Sequence, residues 1–124
     1  MDKNFVDFIC CLHGYLIRVK EIHWNTTHNS THLLCDEIED DIHGCEDRFA
    51  ECVMGMADKK FEIGKLIPLL PNATDLKGML NELNNDVIEM KKKIADKEAN
   101  GGLFNILDDL QEVCNKYKYR CTQL

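Results

Sequence analysis

The strongest constraint on the fold of this chain is an apolar repeat whose members alternate at spacings of four and three residues. Its clearest run consists of Leu76, Leu80, Leu83, Val87, Met90 and Ile94. Residues at these spacings lie on one face of an α-helix, and the alternation is typical of helices that pack together in bundles. Three other segments carry a similar repeat, so the sequence predicts four amphipathic helices.

The other three apolar rows occupy the first half and the end of the chain. They are Phe5, Ile9, Leu12, Leu16 and Val19; then Leu34, Ile38, Ile42, Cys45, Phe49, Cys52 and Met56; then Leu103, Leu107, Leu110, Cys114, Tyr117 and Cys121. Only two prolines and seven glycines occur among 124 residues, which favours an all-helical chain. We therefore predict an all-α four-helix bundle in which residues 1–124 form one domain.

Capping residues and helix breakers give the predicted boundaries. The candidate caps are Asp2 or Asn4 for the first helix, Asn29, Ser30 or Thr31 for the second, and Asn72 or Thr74 for the third. Asn100-Gly101-Gly102 is expected to end the third helix. A longer link with Pro68 and Pro71 separates the second helix from the third, and we expect a short helical turn within it.

Charge and cysteine content limit the class of function. The net charge of −7 suits attraction of cations and argues against a free-standing nucleic-acid binder. No apolar run is long enough to cross a membrane, and the first residues lack the layout of a signal peptide. Seven cysteines without a Cys-x-x-Cys motif indicate reduced core residues. The predicted location is cytoplasmic, with association with a nucleoid or a virus as the alternatives.

The polar face of the second helix is unusual. At about 100° per residue, His32, Asp36, Asp40, His43 and Asp47 form one stripe, with Glu51 at its edge. The stripe contains no lysine or arginine, whereas helix faces that only meet water usually mix both signs of charge. A solvated acidic face is the plain alternative. Two imidazoles beside four carboxylates, however, form a ligand set suited to iron or zinc.

Self-pairing would turn this stripe into a metal site. Two copies of the helix, antiparallel about a two-fold axis between Asp41 and Ile42, place the stripe residues opposite one another. The facing pairs are His32 with Glu51, Asp36 with Asp47, and Asp40 with His43. Burying so many like charges is costly unless a cation lies between them. His23, at the end of the first helix, is a candidate for one further nitrogen ligand.

These residues resemble the signature of the Dps family of miniferritins. The matching pieces are His23-Trp24-Asn25, His32-x-x-x-Asp36 and Asp47-x-x-x-Glu51. The gap from His23 to His32 is about three residues shorter than the family usually has, and His28 is the alternative ligand if His23 does not reach the site. The resemblance implies a ferritin-like four-helix bundle with a long connector between helices two and three.

The resemblance also implies an activity, a ferroxidase that oxidises Fe(II) with hydrogen peroxide or dioxygen. His23, His32 and Asp36 of one chain would share the metal with the partner's Asp47 and Glu51, and Trp24 would line the site. The ferric product, Fe(III), would be stored as mineral inside a homododecameric shell, which protects against oxidative damage. DNA binding is doubtful, because the chain lacks the N-terminal extension with which many relatives bind DNA.

Two other classes of function remain open from the sequence. The chain could be a non-catalytic helical structural or interaction protein that keeps the bundle and uses the stripe for partner contacts. It could also be a DNA-compacting relative of the family, although its acidic charge argues against that. The role of His43 stays undecided between a supplementary ligand, a supporting group and a solvated residue. His13 is interpreted as an ordinary surface or interface histidine.

Overall fold

The computed structural model describes all 124 residues and contains four α-helices and no strands. The helices are α1 (Lys3–Asn25), α2 (Asn29–Ala57), α3 (Leu76–Lys93) and α4 (Gly101–Cys121). This architecture confirms the predicted all-helical class and the four-helix bundle. No helix combines the length and the apolar character that crossing a membrane requires.

The helices form a ring in which each one packs against two others, in the order α1, α2, α4, α3. Each neighbouring pair is antiparallel, because residue numbers that rise along one helix meet numbers that fall along the next. Lys20 of α1 pairs with Glu39 of α2, for example, whereas His13 lies beside Glu46. It follows that α2 and α3 run parallel across the diagonal of the ring. The chain between them, residues 58–75, must therefore travel the length of the bundle.

The apolar rows meet in a single core. Its fully buried large side chains are Leu12, Tyr15, Leu34, Ile38, Ile42, Phe49, Met79, Leu80, Leu83, Leu103, Leu107 and Tyr117. The predicted row of α2 needs two changes, because Val53 is buried in place of Cys52, which is only half-buried, and Met56 is 48% exposed. A straight α-helix drifts by about 20° per heptad against a strict seven-residue repeat. Over the 29 residues of α2, that drift carries Cys52 to the edge of the core.

Three predicted boundaries hold only in part. Asp2 caps α1 as predicted, since its side chain accepts a hydrogen bond from the Asn4 amide at 2.8 Å. Helix α2 begins at Asn29 after His28, whose side chain makes no capping bond. Helix α3 is capped by Asp75, one residue beyond the nearer candidate, and this carboxylate accepts from the Gly78 amide.

The predicted end of the third helix is wrong by seven residues. Helix α3 stops at Lys93, and Gly101 and Gly102 are the first residues of α4. Ile94 leaves the helix in an extended conformation and remains buried. The side-chain amide of Asn100 then donates to the carbonyls of residues 95 and 96, which closes a turn before α4. This local turn replaces the glycine cap that the sequence suggested.

The segment that joins α2 to α3 lies against α1. The Leu69 amide donates to the Cys10 carbonyl at 3.0 Å, and the Arg18 guanidinium donates to the Ala73 carbonyl. A Cβ atom on Gly14 would lie 1.8 Å from the Leu69 carbonyl oxygen, so only glycine permits this approach. The predicted helical turn is absent, and a simple turn at Ile63 and Gly64 takes its place.

Candidate metal centre

The residues of the predicted stripe all lie on the outside of α2. We call them the outward stripe: His32, Asp36, Asp40, His43, Asp47 and Glu51, each of which is exposed in the single chain. The opposite side of the helix carries Leu34, Ile38, Ile42, Cys45 and Phe49, which are buried. The orientation of the helix is therefore set by its apolar row, and the stripe is presented outward as a consequence.

The two sides of α2 that meet α1 and α4 carry further acidic residues, which we call the flank acids. Their partners are Arg120 for Glu37 at 2.7 Å, Lys20 for Glu39 at 3.1 Å, Lys116 for Asp41 at 3.2 Å and His13 for Glu46 at 3.4 Å. Three of the four flank acids thus meet a lysine or an arginine. The ion pairs of the outward stripe are made only with imidazoles, from His23 to Asp36 and from His43 to Asp47.

Three predicted ligands meet at the end of the bundle where α1 turns into α2. The Nε2 atoms of His23 and His32 are 3.1 Å apart, and His23 Nδ1 lies 3.3 Å from Asp36 Oδ1. One ligand atom from each residue falls within 4.8 Å of the others. We call this group the His–His–Asp cluster.

A short loop explains how residues nine positions apart come together. Helix α1 ends at Asn25, α2 begins at Asn29, and the intervening turn is fixed by a bond from the His28 amide to Thr26 Oγ1 at 3.2 Å. The last turn of α1 therefore lies beside the first turns of α2. His23 reaches the stripe from the neighbouring helix despite its short separation from His32. His28 contacts Thr27 and stays outside the cluster.

The geometry of the cluster fits a divalent cation. Two donors that bind one ion at about 2.1 Å and at angles of about 90–110° lie roughly 3.0–3.4 Å apart, and the two Nε2 atoms fall in this range at 3.1 Å. His23 Nδ1 is buried without a hydrogen bond, although Asp36 is close enough for an ion pair. Asp36 is thus close to His23 Nδ1 but poorly aligned for a hydrogen bond. A ligating histidine normally turns its second nitrogen toward such a carboxylate, which fixes the ring.

The other two predicted ligands do not join this cluster in the same chain. Counted along α2 at about 1.5 Å per residue, Asp47 lies roughly 16 Å and Glu51 roughly 22 Å beyond Asp36. Both are exposed. Trp24, the predicted lining residue, is 70% exposed beside the cluster. A single chain therefore holds three of the five predicted ligands at one point and the other two at a distance.

One group of residues in the structure has no counterpart in the sequence predictions. His43, Glu46 and Asp47 bring one ligand atom each within 4.8 Å of the others. Glu46 was not predicted as a site residue at all, because its angular position places it at the edge of the stripe. The spacing of positions i, i+3 and i+4, which shares one helix face, is the signal that could have found it.

The bundle and its outward stripe define the class of the chain as an all-helical protein with a candidate cation site. The chain belongs to a family of unknown function (DUF5856), whose model matches residues 23–121. The matched range includes all five predicted ligands. No curated protein and no solved structure matches the chain.

Proposed function

We propose that this chain is a Dps-like miniferritin that binds Fe(II) between two subunits and oxidises it. The observation that carries this proposal is the His–His–Asp cluster, in which two imidazole nitrogens lie at the separation expected of ligands on one ion. Its three residues are those that the family resemblance assigns to one side of a shared centre. The remaining two ligands, Asp47 and Glu51, are too far along α2 to reach it within the same chain.

The outward stripe supports a centre shared between copies. In the antiparallel pairing, the partner's Asp47 faces Asp36 and its Glu51 faces His32, so the missing carboxylates would arrive at the cluster. Iron between the chains would offset the repulsion of the facing acids. Imidazole and carboxylate ligands suit both oxidation states, and the added negative charge favours Fe(III).

Apolar side chains beside the stripe offer area for the same contact. In the segment after α2, Ile63 is 99% exposed and Ile67 is 72% exposed, and Leu66, Leu69 and Leu70 are also exposed. Phe61, Leu66 and Ile67 line a cavity together with Asp47 of the stripe. Apolar patches next to charged residues mark surfaces of association. We infer that the segment and the stripe form one dimer surface.

The order of the helices supports the ferritin-like class. A ferritin-like bundle uses one long crossover, which makes its second and third helices parallel. The ring of helices here has that direction pattern, with residues 58–75 as the crossover. We propose the corresponding assembly, a hollow homododecamer in which ferric mineral collects.

In the proposed reaction, the oxidant accepts the electrons that Fe(II) releases. Two Fe(II) ions each give one electron to hydrogen peroxide, which takes up two protons and becomes two water molecules. With dioxygen, the same ions supply the electrons that form peroxide. The cluster holds the iron substrate between the two chains, and the ferric product moves from there to the mineral.

Anaerobic titration with Fe(II), followed by addition of peroxide, tests this activity. We expect binding to saturate at a fixed number of ions per dimer, and oxidation to exceed the rate in buffer. Asp36→Ala combined with Asp47→Ala should abolish both. Glu112→Ala is the matched control, because Glu112 is exposed on α4 without an ion-pair partner. Oxidation no faster than in buffer would remove the enzyme proposal and leave the non-catalytic interaction protein.

Mixing the two single variants tests whether the centre is shared. Asp36→Ala chains keep Asp47, and Asp47→Ala chains keep the cluster, so a mixed dimer regains one of its two sites. Random exchange of subunits should restore about a quarter of the wild-type sites. If each site is formed by one chain alone, the mixture remains inactive.

A further inference from the structure

A second group of metal-ligand residues lies halfway along α2. His43 Nε2 and Asp47 Oδ2 are 3.5 Å apart, and Glu46 completes a set whose ligand atoms fall within 4.8 Å of one another. The positions i, i+3 and i+4 project from adjacent turns of one helix face. The helix backbone alone therefore fixes the spacing of the three side chains.

Glu46 has a buried oxygen without a hydrogen bond. Its Oε2 atom is inaccessible and makes no hydrogen bond, and the side chain as a whole is 14% exposed. The carboxylate lines a cavity of about 320 Å³ whose walls include Ile9, Phe61 and Pro68. Burial against these apolar groups raises the pKa of Glu46, and the charge of His13 opposes that rise. A buried carboxylate oxygen normally has a hydrogen-bond donor or a cation beside it.

His13 satisfies this oxygen only in part. Its Nδ1 atom is 3.4 Å from Glu46 Oε2, which is within ion-pair distance, but the orientation does not make a hydrogen bond. The His13 side chain is itself mostly exposed. His13 therefore lines the same cavity and makes an ion pair with Glu46, but it leaves Oε2 without a hydrogen bond.

We propose that His43, Glu46 and Asp47 form a second site for a divalent cation with affinity for imidazole and carboxylate, such as Zn²⁺ or Fe²⁺. The site lies within one chain and needs no partner subunit. Two carboxylates and one neutral imidazole suit ions of this class. The apolar wall beside Glu46 lowers the local dielectric constant, which strengthens the attraction for the ion.

The site is linked to the proposed function through Asp47. If the chain pairs as proposed, Asp47 faces the partner's Asp36, so the second site adjoins the His–His–Asp cluster of the other subunit. A carboxylate has two oxygens and can contact one ion with each. This link rests on the proposed function, whereas the site itself does not.

Titration of the full chain with Zn²⁺, observed through the ring nitrogens of its histidines by NMR, tests the site. We expect the His43 resonance to move in a saturable way. Asp47→Asn, at an exposed position, should weaken this binding by about 10- to 100-fold, and Glu46→Gln should do the same. His28→Ala and Glu62→Gln are the matched controls and should leave it unchanged. A His43 resonance that does not respond to Zn²⁺ would overturn the proposal.

A double variant that lacks the His–His–Asp cluster tests this inference separately from the proposed function. In a chain with His32→Ala and Asp36→Ala, the His–His–Asp cluster is removed, and the His43 response to Zn²⁺ should persist. Loss of that response in this background, with the helical circular dichroism spectrum retained, would show that one site explains all binding and would refute the second. Iron oxidation can fail in the wild-type chain without affecting either result.

Discussion

The outward stripe and the flank acids of α2 share one helix, yet their charges are balanced in different ways. Three of the four flank acids meet a lysine or an arginine of α1 or α4, such as Arg120 beside Glu37 or Lys20 beside Glu39, and Glu46 meets His13. In the stripe, Asp36 and Asp47 have only imidazoles nearby, and Asp40 and Glu51 have no ion-pair partner. The balanced charges lie between helices of the bundle, whereas the stripe is the surface at which we propose that a metal ion and a second chain bind.

The difference shows which charges fold the chain. Exposed ion pairs contribute only about 0–1 kcal/mol each, so the flank pairs mainly orient neighbouring helices. The stripe has no lysine or arginine pairs of this kind, only the imidazole pairs of Asp36 and Asp47, and Asp36 and Asp40 repel each other at positions i and i+4 by about 0.2–0.5 kcal/mol. Such repulsion costs stability in the free chain, and a bound cation would convert it into attraction.

Neutralising three carboxylates in the stripe and three in the flanks should give opposite results. This contrast is the largest effect that we predict. In the stripe, Asp36→Asn, Asp40→Asn and Asp47→Asn together should weaken binding of Zn²⁺ by more than about 100-fold, while the metal-free chain becomes slightly more stable. In the flanks, Glu37→Gln, Glu39→Gln and Asp41→Asn provide a control with the same change in charge. We expect that variant to keep its metal affinity and to melt earlier. Calorimetric titration measures the affinity for Zn²⁺, and thermal unfolding measures the stability. An equal loss of affinity in the two variants would contradict the predicted difference between stripe and flanks.

Gly14→Ala should separate the ligands of the stripe from the apolar segment beside it. The added Cβ would meet the Leu69 carbonyl, so residues 58–75 must shift. We expect the free energy of unfolding to fall by about 1–3 kcal/mol and self-association to weaken, while the His–His–Asp cluster stays intact. Gly44→Ala is the control, because a Cβ at Gly44 meets no atom within 4 Å. Denaturant unfolding and sedimentation measure the two effects. Unchanged association in Gly14→Ala would exclude the segment from the dimer surface.

The smallest effect concerns the flank pair of Glu37 and Arg120. A hydrogen bond from the Arg120 guanidinium lowers the pKa of Glu37, so the native state favours the ionised carboxylate. Its stabilising contribution is present above the pKa of the unfolded chain and is lost as the pH falls through the native value. Glu37→Gln should therefore lower the Tm slightly at about pH 7 and leave it unchanged at about pH 3. A larger decrease of the Tm at about pH 3 than at about pH 7 would contradict this direction of the pH dependence.

The fold was largely predictable because apolar periodicity determines helix orientation directly. The alternating repeats of Leu76 to Met90 and of Leu103 to Tyr117 predicted faces that the structure buries. The end of α3 was not predictable from glycine alone. The turn depends on Asn100 bonding to the carbonyls of two earlier residues, and on Ile94 remaining in the core. Such tertiary preferences override a local capping signal.

The candidate site was predictable only where its residues share one helix face. The stripe followed from the spacing on α2, and His23 joined it through its position at the end of the first helix and then through the family resemblance. The spacing of Glu46 from His43 and Asp47 was visible in the sequence, but its burial depends on the segment after α2, whose Phe61 and Pro68 line a cavity beside it. No periodicity of α2 contains that information. Whether Asp47 and Glu51 reach the cluster of another chain remains a prediction.

Anomalous diffraction from crystals of the chain loaded with Zn²⁺ tests the central claim most directly. We predict a metal peak between two antiparallel copies of α2, bound by His23 and His32 of one chain and by the partner's Asp47, at about 2.0–2.2 Å from each ligand. A stripe that faces solvent in every copy, with no metal peak at His32, would contradict the account.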